Sequence, residues 1–263
     1  MAINCIVIAR EVWDTRDLAG QVLDDAGQLK ASGLTTRFEP EDLNALEMAL
    51  KIKDTQGGKV TVLSVGESRQ VEVLRESLYR GADEVICVKA YGPRDIQATA
   101  ALLAAAIKKI GTANLILCGI SLADGENSLL AAHLAELAGL DLVTWVDGIE
   151  ALDAAKVTAK RAIEMGYEYI EVGLPALLGV GVALLEDDPR APRSAKAMLK
   201  LKHKKTEIPA WSAADLGVDA AASATTKTAG HQAIAQRVIE SKEIDANSES
   251  ALVALLAEIR KGA

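Results

Sequence analysis

The chain has 263 residues, half of them hydrophobic, only 3% aromatic, with a formal net charge of -8. That length suits one large α/β domain, or one domain with a sizeable extension, around an aliphatic core. The acidic balance argues against general nucleic-acid binding, and no stretch approaches the roughly 20 apolar residues of a membrane span. The sequence opens directly on an apolar run rather than a signal segment. Its three cysteines (Cys5, Cys87, Cys118) are far apart and lack CxxC spacing. They read as buried free thiols of a reducing compartment, not as a metal site, so a soluble cytoplasmic protein is expected.

Ile3–Ile8 is a continuous apolar run suited to a buried parallel strand. A polar loop follows, and residues 17–37 read as an excursion with a hairpin around Asp24-Asp25-Ala26-Gly27. Pro40 opens a helix with a stripe of Leu43, Leu46, Ala49, Leu50 and Ile52, ended by Gly57-Gly58. Val60–Val65 is a second strand, stopped at Gly66. A helix from Gln70 to Tyr79 closes at Gly81. Val85–Val88 is a third strand, and Ile96 to Ile110 an Ala/Leu-rich helix that stops at Gly111.

The fourth strand, Leu115 to Leu117, stops at Gly119. A polar turn (Ser121, Asp124, Gly125, Glu126, Asn127, Ser128) leads into a helix with Leu129, Leu130, His133, Leu134 and Leu137. Four alternations of strand and helix predict a doubly wound, mostly parallel, Rossmann-like sheet with right-handed crossovers. Turns at the carboxyl ends of such strands build ligand crevices, because free N–H groups and the helix dipole favour anions. The same turn also fits an ordinary connection capped by Asn127 or Ser128. Cys87 and Cys118 read as core, and His133 has no second ligand at metal spacing.

Beyond Leu140, Lys156–Ile163, Tyr167–Leu174 and Leu177–Leu184 are strand-like. The first two predict an antiparallel hairpin, and the three together an extension of one sheet edge. A basic stretch runs from Arg190 to Lys205. Residues 209–247 are polar, Ala-rich and weakly periodic, and an amphipathic helix, Ala251 to Ile259, ends the chain. A compact core with a long trailing arm predicts that the arm lies on another subunit.

Several segments carry a resemblance in one fixed order. They are Arg10-Glu11-Val12-Trp13-Asp14-Thr15; Glu39-Pro40 with Asp42 to Leu50; Val62 to Gly66 with Leu74 to Leu78 and Gly81-Ala82-Asp83; and Leu115 to Gly119 with Ala123-Asp124-Gly125-Glu126 and Ala135-Glu136-Leu137. The match continues through Glu171 to Pro175, Pro189-Arg190 and Glu207-Ile208-Pro209 to Asp215-Leu216-Gly217. Over most of its length the chain resembles the β subunit of electron transfer flavoproteins.

The resemblance implies a heterodimer in which an α subunit holds the redox-active FAD. Electrons would pass from a flavin dehydrogenase to a quinone oxidoreductase or another acceptor. The β chain would do no acid–base or nucleophilic chemistry, and would hold AMP or, in electron-bifurcating members, a second FAD. By this resemblance the crevice maps onto Ala9, Arg10, Phe38, Glu39, Ser64, Val65, Gly66, Cys118, Gly119, Asp124, Gly125, Asn127 and Ser128. Several positions depart from the family pattern. Glu39 replaces an Asn, Trp13 a Pro and Arg10 a Lys, while Leu129 and Leu130 interrupt a polar run. AMP, FAD and an empty crevice therefore stay open. Arg10 points toward the flavin or is a solvated loop charge; Asp124 holds a ribose or caps its turn.

Residues 1–188 would be the nucleotide-binding domain, 189–205 a partner-recognition loop (Arg190, Arg193, Ala195, Met198, Leu199), and 206–263 an arm wrapping α. The family's apolar anchor, usually Leu, is missing from that loop, and Met198 and Leu199 are the nearest candidates. Two other readings compete. A universal-stress-type nucleotide sensor would need a glycine-rich phosphate loop and no arm. A nucleic-acid module on residues 190–205 would need interleaved aromatics.

Overall fold

The computed structural model describes residues 2–14, 16, 22, 24, 30, 34–66, 70–90, 95–122, 129–181, 192–219, 223–226, 244–245 and 247–262. The first apolar run becomes β1 (Cys5–Ile8), buried at every position. β2 (Glu11–Trp13) and β3 (Thr36–Phe38) pair antiparallel outside the main sheet. Between them, the Lys30 N–H donates to Val22 O at 2.9 Å; the expected hairpin tip Asp25-Ala26-Gly27 lies outside the described residues.

The alternating pattern then yields α1 (Pro40–Gln56), β4 (Val60–Gly66), α2 (Gln70–Arg80), β5 (Glu84–Lys89), α3 (Ile96–Ile110), β6 (Leu115–Gly119) and α4 (Leu130–Ala138). Pro40 sits at the first helical position, where its missing N–H costs nothing. Asp95 caps α3 by accepting the Ala98 N–H at 2.8 Å. Alternate strand residues feed two cores. Cys5, Val7, Val60, Val62, Leu115 and Leu117 pack under α1 and α2. Ile6, Ile8, Leu63, Ile86, Ile116 and Cys118 pack under α3 and α4.

The remaining elements are β7 (Asp141–Leu152), β8 (Lys156–Ile163), β9 (Gly166–Gly173), β10 (Ala176–Val180), α5 (Ala197–His203), β11 (Ala210–Ser212) and α6 (Glu249–Gly262). Nine strands form one sheet in the order β11-β5-β4-β1-β6-β10-β7-β8-β9. It is parallel from β11 to β7, and β8 and β9 add the antiparallel extension. The doubly wound reading and the hairpin hold. Two details differ from expectation. β10 does not extend the edge: it inserts between β6 and β7, which is why all five of its residues are buried. β7 and β11 appear where no strand was expected, and β11 makes the start of the 206–263 segment an edge strand of this chain's own sheet. Among the described residues no helix is long and apolar enough to cross a membrane.

Candidate functional site

The strand order reverses at β1. Its neighbour on one side, β4, leads to β5, while its neighbour on the other is β6. Crevices in doubly wound sheets open at such a switch point, outside the carboxyl ends of the strands. Ala9 and Arg10 end β1, Ser64, Val65 and Gly66 end β4, and Gly119 ends β6. The first turn of α1, introduced by Phe38 and the buried Glu39, closes over them.

Asp42 is the hub of this closure. Its Oδ2 accepts the Arg10 main-chain N–H at 2.8 Å and Arg10 Nε at 2.7 Å. Its Oδ1 accepts Arg10 Nη2 at 2.8 Å and the Gly119 N–H at 2.6 Å. Arg10 Nη2 also donates to Gly119 O at 2.9 Å. Burial pulls the Arg10 pKa down, but the charge and hydrogen bonds of Asp42 outweigh it and hold the guanidinium well above its ordinary range. Arg10 is therefore neither a solvated loop charge nor a free arm.

Gly119 is obligatory here on steric grounds. A Cβ would stand 2.7 Å from Glu41 Cβ and 2.8 Å from both Arg10 Nη2 and Asp42 Oδ1. Beside it, Glu41 accepts the Ser121 N–H at 2.6 Å, and the Ile120 N–H donates to Val180 O at 3.0 Å. Three successive N–H groups at the end of β6 are thus already satisfied, two of them by the chain's own carboxylates. An anion would have to bind further along, toward α4. Asp124, Gly125, Asn127 and Ser128 lie outside the described residues.

Two polar atoms at the switch point are left over. Arg10 Nη1 and Ser64 Oγ are buried with no hydrogen-bond partner among the described residues. Ser64 falls on the face of β4 that carries Val60 and Val62, the α1 side. Cys118 turns to the opposite face, under α3 and α4; burial pushes its thiol up to about 12, with Arg10 pulling the other way. Asp42 and Glu41 were not singled out from the sequence, although an acidic first turn is the ordinary complement of a helix N-terminus.

The basic stretch is clamped to the body. Arg193 pairs with the nearly buried Glu47 (2.8 Å) and with Asp54 (2.9 Å), and its carbonyl accepts from Arg80 Nη1. Arg75 Nη1 donates to His203 O (3.1 Å), Lys204 O (3.0 Å) and Thr206 O (3.2 Å), closing the C-terminal end of α5. Ala195 and Leu199 are half-buried, whereas Met198 (76%) and Leu201 (75%) stand exposed among lysines. Arg190 lies outside the described residues. His133 is half-buried, and no group of His, Cys, Asp or Glu among the described residues is arranged to hold a metal.

A family model described as the electron transfer flavoprotein domain matches residues 27–216. The chain is 36% identical over 219 residues to the electron transfer flavoprotein subunit beta of Thermoanaerobacterium thermosaccharolyticum, covering 82% of this chain and 81% of that one. It is 37% identical over 188 residues to the caffeyl-CoA reductase-Etf complex subunit CarD of Acetobacterium woodii, covering 70% of each. It is 33% identical to protein FixA of Bradyrhizobium diazoefficiens, over 81% of this chain and 75% of that one.

Proposed function

The chain belongs to the electron transfer flavoprotein β family, and from that premise we propose that it is the small subunit of a cytoplasmic heterodimer that carries electrons between flavoenzymes. The α subunit holds the redox-active FAD, which supplies the electron chemistry. This chain completes the shelf beneath that FAD and contributes no acid–base or nucleophilic step. The donor is a flavin dehydrogenase and the acceptor a quinone oxidoreductase or another redox protein. The relative named for a caffeyl-CoA reductase complex favours an enzyme of CoA esters as the electron partner. Residues 189–205 form the recognition loop. Past the sheet edge, the remainder of 206–263 is an arm on α, and the exposed Leu252, Leu256 and Ile259 of α6 support that role.

The observation that carries the nucleotide part of this reading is a pair of buried polar atoms, Arg10 Nη1 and Ser64 Oγ, that have no hydrogen-bond partner among the described residues. A buried polar group left unpaired costs about 1–3 kcal/mol, and a hydroxyl with a guanidinium N–H fits the acceptor atoms of an adenine nucleotide. On this reading the crevice of Ala9, Arg10, Phe38, Glu39 and Ser64 to Gly66 holds AMP as a structural ligand, as in a single-flavin carrier. Its phosphate is directed away from Gly119 and Ser121, whose N–H groups the chain's own carboxylates occupy.

The test is to co-express the chain with its α partner, denature the complex and quantify released nucleotides by chromatography. One FAD and one AMP per heterodimer is the expected result. Two FAD would replace this reading with electron bifurcation, and one FAD alone would empty the crevice. Failure to assemble with any flavin-holding subunit would overturn the proposal.

A further inference from the structure

We propose that Glu47 is a positioning residue for electron uptake: its grip on Arg193 sets where α5 stands, and thereby how readily an electron donor docks there. This rests on the reading of residues 189–205 as the recognition loop. Residues 192–206 carry five Lys, Arg193 and His203, with no Asp or Glu. A run of like charges repels itself and extends. A helix as short as the seven residues of α5 is marginal on its own. None of its residues is buried, and among the described residues no side chain caps its start. Neither the core nor its own sequence therefore holds α5 in one place.

Anchors at its two ends do. Ahead of the helix, both oxygens of Glu47 turn to Arg193. Oε2 accepts the Arg193 main-chain N–H at 2.9 Å and Nε at 2.8 Å, and Oε1 accepts Nη2 at 3.0 Å. Arg193 Nη2 also reaches Asp54 at 2.9 Å. Arg80 Nη1 donates to the Arg193 carbonyl, and the Lys196 N–H at the helix start donates to Tyr79 O at 2.9 Å. At the far end, Arg75 gathers the carbonyls of His203, Lys204 and Thr206.

Of these anchors Glu47 is the buried one, its side chain 5% exposed against 58% for Asp54. A buried ion pair gains little stability over a well-packed apolar contact. It does impose one geometry, because a guanidinium fork meets a carboxylate in a single plane. By holding the main-chain N–H as well as the side chain, Glu47 fixes the path of the backbone three residues ahead of Lys196, which starts α5.

Glu47 also lies on the helix whose first turn closes the crevice. Asp42, five residues earlier on α1, fastens that helix to the ends of β1 and β6. Through α1, the recognition helix is thereby referred to the same strand ends as the crevice. A donor seated on Met198 and Leu201 meets them in a set place, and docking need not order the segment first.

The experiment uses the full chain as Glu47→Gln, as Arg193→Ala and with both changes, each assembled with the flavin-holding subunit. The donor is the flavin dehydrogenase that reduces the wild-type complex. Each variant is expected to raise the KM for that donor about tenfold, the scale of ordering one or two side chains anew on docking, at unchanged kcat and flavin content. The double variant should be no worse than either single one, since all three lose the same interaction. Amide exchange in α5 should quicken about tenfold in each, while that of α1 keeps its wild-type rate. Arg193 is partly exposed, so Arg193→Ala decides the matter if Glu47→Gln does not fold. Wild-type KM in folded variants, losses that multiply in the double variant, or α5 amides that exchange as in wild type would overturn the proposal. So would lost flavin or faster exchange across α1, which would make Glu47 a support of the fold and not of recognition. A wild-type complex that no flavin dehydrogenase reduces would sink the recognition-loop reading itself, and this proposal with it.

Discussion

Arg10 grips Asp42 with two prongs, Nε to Oδ2 at 2.7 Å and Nη2 to Oδ1 at 2.8 Å, while the same carboxylate accepts the main-chain N–H groups of Arg10 and Gly119. One side chain thereby fastens the end of β1, the end of β6 and the first turn of α1. The Asp42 side chain is fully buried and that of Arg10 is 15% exposed, so solvent screens the pair little. Replacing Asp42 by Ala strands a buried guanidinium and two N–H groups. Breaking such a pair costs about 3–5 kcal/mol. The expected result is a lower urea midpoint with an unchanged slope; an unshifted midpoint would remove the pair from the fold's main supports.

On the recognition loop, exposure separates two candidate anchors. Met198 and Leu201 lie three residues apart on α5, both about three-quarters exposed, while Leu199 is half-buried. Met198→Asp with Leu201→Asp should raise the KM for the electron-donating dehydrogenase about tenfold or more, the scale of one lost apolar anchor, and leave stability and assembly with α untouched. Leu199→Asp should instead lower the melting temperature. The reverse pattern, measured by steady-state flavin reduction and thermal unfolding, would return the anchor role to Leu199.

Much of the fold was legible because its signals are local. α3 spans Ile96–Ile110 and β8 spans Lys156–Ile163, the bounds that periodicity predicts. β7 was missed because it bends. Its buried positions, Val143 and Val146, are three residues apart instead of two, and Trp145 between them is left-handed. β11 is three residues long, and its pairing with β5 defines it more than any pattern of its own. β10 was read as an edge because a short apolar run does not reveal which strands will flank it. At the crevice, Ala9, Ser64 and Gly119 are implied by the family resemblance, and they stand at or beside the carboxyl ends of β1, β4 and β6. Asp42 is not marked in this way, since its partners lie 32 residues before it and 77 after it. An aspartate in a helix's first turn gives no local sign that it will be buried.

The three thiols report on the core directly. Cys5, Cys87 and Cys118 are free and buried. Burial raises all three, carrying Cys5 and Cys118 from an ordinary 9.0 up to about 12. Between pH 9 and 12 the unfolded chain releases thiol protons that the native chain keeps, so the unfolded state binds fewer protons and stability falls as pH rises. Below pH 9 this contribution is fully present. The loss should approach about 1 kcal/mol per pH unit for each of Cys5 and Cys118. Urea melts between pH 7.5 and 10.5 should show it, and Cys5→Ala with Cys118→Ala should flatten the upper part of that profile. A disulfide-exchange dye at pH 8 should meanwhile label none of the three in the native chain and all three in urea, at a native rate set by global opening. Fast native labelling of Cys118 would mean that α3 and α4 lift locally from the sheet beside Gly119, so that its protection is not set by global stability.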